Sequence, residues 1–107
     1  MLDKIKLLLG LKDDEGLDEL LSLLISLSTS RLTSLLGGIE PPENMDYIII
    51  GATVKKFNKL GSEGYASHTV EGESVSFTDD DFSEFADDIQ TYLDAQKEIT
   101  KGKVRFL

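Results

Sequence analysis

Apolar residues along this chain recur mostly at helical spacing. Leu2, Ile5, Leu8 and Leu9 stand at i, i+3, i+6 and i+7 and are followed by Gly10, which predicts a short helix over residues 2–9. The acidic group Asp13-Asp14-Glu15 precedes a second, longer pattern, and negative side chains there suit the positive end of a helix dipole. From Leu17 to Leu36, a turn of about 100° per residue puts Leu17, Leu20, Leu21, Leu24, Ile25, Leu32 and Leu35 on one face. Leu23 and Leu27 widen that face, while Ser22, Ser26, Ser30 and Thr33 take the other side. So wide an apolar arc predicts contact with more than one neighbour, within the domain or in another subunit. Arg31 falls near the middle of the arc. A cation there either packs its stem and meets a carboxylate of its own domain, or forms an ion pair between subunits.

Gly37-Gly38 close this helix, and Pro41-Pro42 open the next, where a missing N–H costs nothing. Tyr47-Ile48-Ile49-Ile50 alone would pass for a buried strand, but the pattern from Met45 to Leu60 is long enough for a helix. Tyr47, Ile50, Val54 and Phe57, with Ile48 and Ala52 alongside, make it apolar almost all round, so it is expected to be the central helix. Lys55, Lys56 and Lys59 complement its negative end, and Gly61 is a natural stop. Residues 61–77 break the period and are expected to form a mobile loop, with a small β element within 70–77 where Ser74-Val75-Ser76-Phe77 alternates. Thr78 or Asp79 then caps a last helix, followed by Phe82, Phe85, Ala86, Ile89, Tyr92, Leu93 and Gln96 at helical spacing. Residues 102–107 end in Val104-Arg105-Phe106-Leu107, a basic and β-prone tail. The expected architecture is a single all-α domain over 1–107, with four to five helices, a long central helix, the small β element and the tail.

Composition narrows what such a domain does. At 107 residues, 40% hydrophobic and 29% charged, the chain can bury roughly 65% of its unfolded surface around one core. The absence of cysteine excludes disulfides, thiol nucleophiles and thiolate metal sites. A net charge of −9 argues against a grip on nucleic acid or an anionic membrane. The apolar stretch 20–27 follows acids where a secretory leader would be basic, and serines and Arg31 interrupt the only candidate membrane span, so a cytoplasmic chain without a membrane segment is expected. One histidine, His68, in a stretch expected to be a loop and without any cysteine, points away from a transition-metal site or a serine–histidine triad, and a surface polar residue is the better reading. Asp79-Asp80-Asp81 resembles half a calcium loop, but Glu84 stands where the sharp-turn glycine belongs and Gln90 where the bidentate acid belongs. Capping carboxylates explain the run better. Gly61-Ser62-Glu63-Gly64 has the spacing of a nucleic-acid clamp, yet Glu63 opposes phosphate and no Gly-Lys-Ser/Thr follows. No catalytic residue, cofactor or metal is therefore expected. What remains is surplus stickiness: a wide leucine face, a mobile loop and an apolar tail.

The run Lys56-Phe57-Asn58-Lys59-Leu60-Gly61-Ser62-Glu63-Gly64, followed by Val70-Glu71-Gly72-Glu73-Ser74-Val75-Ser76-Phe77, closely resembles the head–tail connector (adaptor) proteins of tailed bacteriophages and prophages of Gram-positive bacteria. In that family a basic–aromatic–Asn–basic helix end leads into a Gly-Ser-Glu-Gly loop, and an acidic helix like 79–93 follows. The likeness extends over the whole chain, although only residues 56–82 are distinctive. Lys56 and Lys59 stand where arginine is common, and Tyr65 where methionine is common, which alters any bidentate arginine contact there.

The resemblance implies a virion structural subunit, present in the host cytoplasm during assembly, that docks as a ring beneath the portal and extends the DNA channel toward the stopper and tail. Its implied partners are the portal, a downstream stopper or head-completion protein, and copies of itself, with a monomer or loose oligomer expected in isolation. DNA passes through without specific binding. Partner contacts are expected from the loop (Gly61, Ser62, Glu63, Gly64, Tyr65, Val70) and the tail (Val104, Arg105, Phe106, Leu107). Subunit contacts are expected from Leu23, Leu27 and Arg31. The charge is uneven, net −9 over residues 71–98 and +3 over 99–107. An acidic helix facing the channel, through Asp87 and Asp88, would repel passing phosphates while the basic tail seeks a neighbour. The alternative is a small acidic helical regulator that binds a basic protein partner and has no catalytic activity.

Overall fold

A computed structural model describes residues 1–62 and 76–105, with side chains for 1–60 and 76–98. Among the described residues four α-helices follow one another: α1 (Leu2–Leu9), α2 (Asp18–Leu35), α3 (Asp46–Ser62) and α4 (Ala86–Arg105). A 3₁₀ turn at Glu43–Met45 leads into α3, and a 3₁₀ helix at Asp79–Phe85 leads into α4.

Each boundary has a local cause. Gly10, at φ 72°, takes the left-handed conformation after α1, so its N–H reaches the Leu7 carbonyl (3.2 Å) and that of Leu11 the Lys6 carbonyl (2.8 Å). Asp14 turns the chain toward α2 by accepting the Gly16 N–H at 2.8 Å. Gly37 and Gly38, also at positive φ, end α2. Pro42 is the extended residue that opens the turn before α3. At the start of the last segment, extended Thr78 precedes Asp81, whose carboxylate reaches back to accept the Thr78 N–H at 2.8 Å.

Helix α3 is the centre of the fold, packing against α2, α1 and the 3₁₀ helix. Its innermost residues are Ile48, Ile49, Ala52, Thr53, Lys56 and Leu60. They meet Leu24, Leu32 and Leu36 from α2, and Phe77, Phe82 and Ile89 from the last segment. Tyr47, at the edge of the predicted apolar stripe, is 47% exposed. The core of α2 also takes in Ser28, fully buried, which is possible because its hydroxyl is satisfied by the Thr53 hydroxyl and the Ile25 carbonyl, each at 3.1 Å.

Helix α1 corrects the predicted stripe. Its inward set is Leu2, Ile5, Lys6 and Leu9, while Leu8 is 65% exposed. Lys6 takes the inward position because its ammonium meets the Asp18 carboxylate at 2.8 Å across the α1–α2 corner. That bond raises the Lys6 pKa against the opposing effect of desolvation.

The end of α3 runs through Ser62, one residue past the expected stop at Gly61. Of the expected 61–77 loop, residues 63–75 lie outside the described residues, and Ser76 and Phe77 have no regular structure. The β element expected within 70–77 therefore falls mostly outside them. The tail differs from expectation: α4 continues through Arg105, so Val104 and Arg105 are helical rather than extended. Extending a formed helix by a residue adds a hydrogen bond for each residue fixed, and that outweighs a weak β preference; Lys101, Lys103 and Arg105 also suit the negative end of the dipole. Phe106 and Leu107 lie outside the described residues. Leu93 is the last residue of α4 packed on the core among the described side chains, and the helix reaches about 18 Å further at 1.5 Å per residue. The molecule accordingly extends 56 × 26 × 20 Å, with a radius of gyration of 16.1 Å where about 13 Å is usual for this length.

Gly51 marks the closest approach of two elements. A Cβ there would lie 2.5 Å from Phe85 Cζ, and the Phe85 ring is pinned edge-on by Tyr47 at 5.8 Å between centroids. Gly51→Ala is expected to destabilise the fold by about 1–3 kcal/mol, although the same change in an open helix would stabilise it by about 1 kcal/mol. Chemical unfolding decides the sign. A second expectation concerns pH. Because the Lys6 pKa is raised in the folded state, its contribution is complete below the ordinary lysine value of 10.5 and is lost as pH rises through the raised one. Thermal unfolding should show an alkaline loss of stability above about 10.5 that Lys6→Met removes.

Candidate functional site

Two polar constellations lie where the last segment meets the helices. The first joins α3 to the 3₁₀ helix. Lys56 Nζ lies 3.2 Å from Asp81 Oδ2, and both side chains are almost fully buried, at 7% and 8% exposure. The same carboxylate accepts the Thr78 N–H, and Lys56 sits 5.4 Å from the centre of the Phe77 ring. Lys56 is thus a buried tie and not only a solvated complement to the dipole. Lys55, its neighbour, donates to the Asp80 carbonyl at 3.4 Å. The run Asp79-Asp80-Asp81 caps and ties, and no group of metal-ligating side chains occurs among the described residues.

Alongside, Arg31 pairs with Asp79 of its own chain, which is the first of the two arrangements open to it from sequence. Leu27 and Arg31 line a shallow pocket of about 270 Å³ with Ser30, Ser34, Ser76 and Phe77. Leu27 is half-buried against the core, whereas Leu23 is 46% exposed. The residues expected at a subunit contact therefore have different roles: Leu23 stays at the surface, and Leu27 and Arg31 are engaged inside the chain.

The second constellation lies between the start of α3 and the outer side of α4. Met45, Tyr47, Asp88, Thr91, Tyr92 and Ala95 line an open groove of about 320 Å³ together with Asn44. Tyr47 donates its hydroxyl to Asp88 Oδ2 at 2.6 Å. That bond pushes the Tyr47 pKa up, because ionisation would break it and set two negative charges together. Asp87 and Asp88 are both exposed, but only Asp88 belongs to the groove. Gly61 and Ser62 form the end of α3; Glu63, Gly64, Tyr65, Val70 and His68 lie outside the described residues.

Neither the groove nor the tie was singled out from the sequence. The tie had a signal in Thr78-x-x-Asp81, the spacing of a capping box. The groove had none, because it depends on the angle at which α4 leaves α3. No helix among the described residues is long and apolar enough to cross a membrane.

The sequence matches the phage gp6-like head-tail connector protein family over residues 1–92. The chain belongs to that family. No curated protein and no solved structure matches it. The connector is thus a bacteriophage structural protein of the head–tail junction, and it works among other head and tail proteins. The match takes in the tie, the Arg31–Asp79 pair and most of the groove, and it ends at Tyr92. Residues 93–107, with the far half of α4, lie beyond it.

The connector's tie is open to a direct test. Lys56→Met leaves the Asp81 carboxylate buried with only the Thr78 N–H and hydroxyl as donors and no cation, and should cost about 3 kcal/mol. Adding Asp81→Asn, which keeps an acceptor for Thr78, should recover a substantial part. A double-mutant cycle by urea unfolding measures both changes.

Proposed function

We propose that this connector docks as a ring beneath the portal and extends the DNA channel toward the stopper and tail. The observation that carries the reading is the family match over residues 1–92. Support comes from apolar residues that the fold leaves outside: Leu7 and Leu8 on α1, each 65% exposed, and Leu23 on α2. They lie on separate elements, so each subunit has different faces for different neighbours. A ring arises when such a head-to-tail contact repeats through a rotation that closes, and a portal surface is a means of fixing that rotation.

In this reading Leu23 meets a neighbouring subunit, with Leu27 and Arg31 supporting it from beneath. The segment with Gly61, Ser62, Glu63, Gly64, Tyr65 and Val70 meets the portal or the stopper. Asp87 and Asp88, at the start of an acidic helix, stand at the channel wall and repel passing phosphates, so DNA slides through without being held. The tail residues Val104, Arg105, Phe106 and Leu107 engage another chain. The subunit is a monomer or loose oligomer in the host cytoplasm until the portal assembles it.

The test is co-assembly with the portal of the same phage. Electron microscopy should show rings on the portal, and heads lacking this protein should leak DNA and carry no tails. Normal infectious particles without it would overturn the reading. Removing residues 102–107 should leave the melting temperature of the free chain nearly unchanged, because α4 is already held to the core at Ile89, Tyr92 and Leu93, and should sharply reduce ring formation. A large fall in melting temperature would show that the tail belongs to the core.

A further inference from the structure

We propose that the groove between α3 and α4 receives the C-terminal segment of a second copy, residues 99–107, with Phe106 on the apolar floor and the basic side chains against the acidic rim. The inference rests on the ring reading above and adds to it a specific contact.

Three observations carry it. The groove has an apolar floor from Met45, Tyr92 and Ala95, and its volume of about 320 Å³ has room for an aromatic side chain. Its rim is acidic: Asp88 lines it, and Glu98 follows one turn after Ala95 on the same strip of α4. Tyr47 binds Asp88 through Oδ2, which holds that carboxylate at the groove's edge. Acid-free stretches that mix three cations with apolar residues occur at 4–12, 54–60 and 99–107, and the first two lie largely within α1 and α3, which the fold already uses. Residues 99–107 contain Lys101, Lys103 and Arg105, interleaved with Val104, Phe106 and Leu107.

Geometry assigns that segment to another copy. Helix α4 runs unbroken from Ala86 to Arg105, so Arg105 lies about 15 Å beyond Ala95 along the axis and directed away from the groove. A chain cannot fill its own groove without unwinding three turns of its own helix. The same helix, continuing to Arg105, delivers the segment to a neighbour. The contact joins unlike surfaces, so it propagates from subunit to subunit as a head-to-tail interface does. It takes Asp88 from the channel wall, and Asp87, on the next strip of α4, keeps the channel-facing role.

The chain has no cysteine, which permits an unambiguous test. Chains with Ala95→Cys and chains with Leu107→Cys are mixed, as rings on the portal and as concentrated free protein, and oxidised. A mixed disulfide is expected, forming at least tenfold faster than between Leu107→Cys and a control Asp13→Cys on the turn between α1 and α2, outside the groove. Phe106→Ala in the tail chain should slow it by roughly tenfold, and Asp88→Asn in the groove chain by roughly three- to fivefold, with the latter effect shrinking in high salt. Circular dichroism of each variant confirms folding. If rings form and Ala95 links no faster than Asp13, tail docking is overturned while the connector reading stands. Linkage of Ala95 to Ala95, or of the tail to portal alone, also overturns it. If no ring forms, the connector reading fails, and the rates in free protein decide the docking on their own.

Discussion

The buried pair between Lys56 and Asp81 fixes how the last third of the chain meets the rest. Two charges removed from water stabilise nothing unless their geometry is good and their other bonding capacity is used. Here the carboxylate takes both the ammonium and the Thr78 N–H, and the ammonium lies against the Phe77 ring. Asp81 can therefore occupy only one register. Phe82 follows it into the core, Phe85 comes down on Gly51, and Ile89 and Leu93 continue the same strip along α4. A shift of one residue would rotate that strip by about 100° and present Asp80 or Ser83 to the core instead. An apolar pair at 56 and 81 would hold the elements together but would not select the register so sharply.

From this tie follows the course of α4. The helix is anchored at its start, Ile89, Tyr92 and Leu93 pack on the core, and the backbone continues helically to Arg105. Its early turns carry Asp87, Asp88 and Asp94, whereas its last turns carry Lys101, Lys103 and Arg105. The separation of charge along one helix is thus a separation in space of roughly 20 Å at 1.5 Å per residue. On the ring reading, opposite charges at opposite ends of the same element favour end-to-end attraction between copies.

The helices were legible in the sequence because each has a period of apolar residues and an explicit stop: Gly10 after α1, Gly37-Gly38 after α2, Thr78 before the last segment. What a local reading misses is a polar residue that takes an inward place by bonding to something distant in the chain. Lys6 displaces Leu8 from the core face of α1 because Asp18 waits across a corner. Ser28 enters the core because Thr53, twenty-five residues on, completes its hydrogen bond. Hydropathy scores those residues as surface, since partners at long separation are invisible to a local window. The tail failed for another reason: alternation over four residues is a weak signal beside a helix already nineteen residues long by Val104. The groove is legible only in three dimensions, since Met45 and Tyr92 have no periodic relation to each other.

Exposed apolar residues stand on more than one element: Leu7 and Leu8 on α1, Leu23 on α2, and Tyr47 on α3 at the edge of the groove. Small apolar contacts on separate elements bind weakly one by one, and the net charge of −9 adds repulsion between free copies. Several weak contacts become one strong one when a template holds the partners in place, because the later contacts form at high effective concentration. On the ring reading, the portal supplies that template, and assembly is then conditional on the site where it is needed.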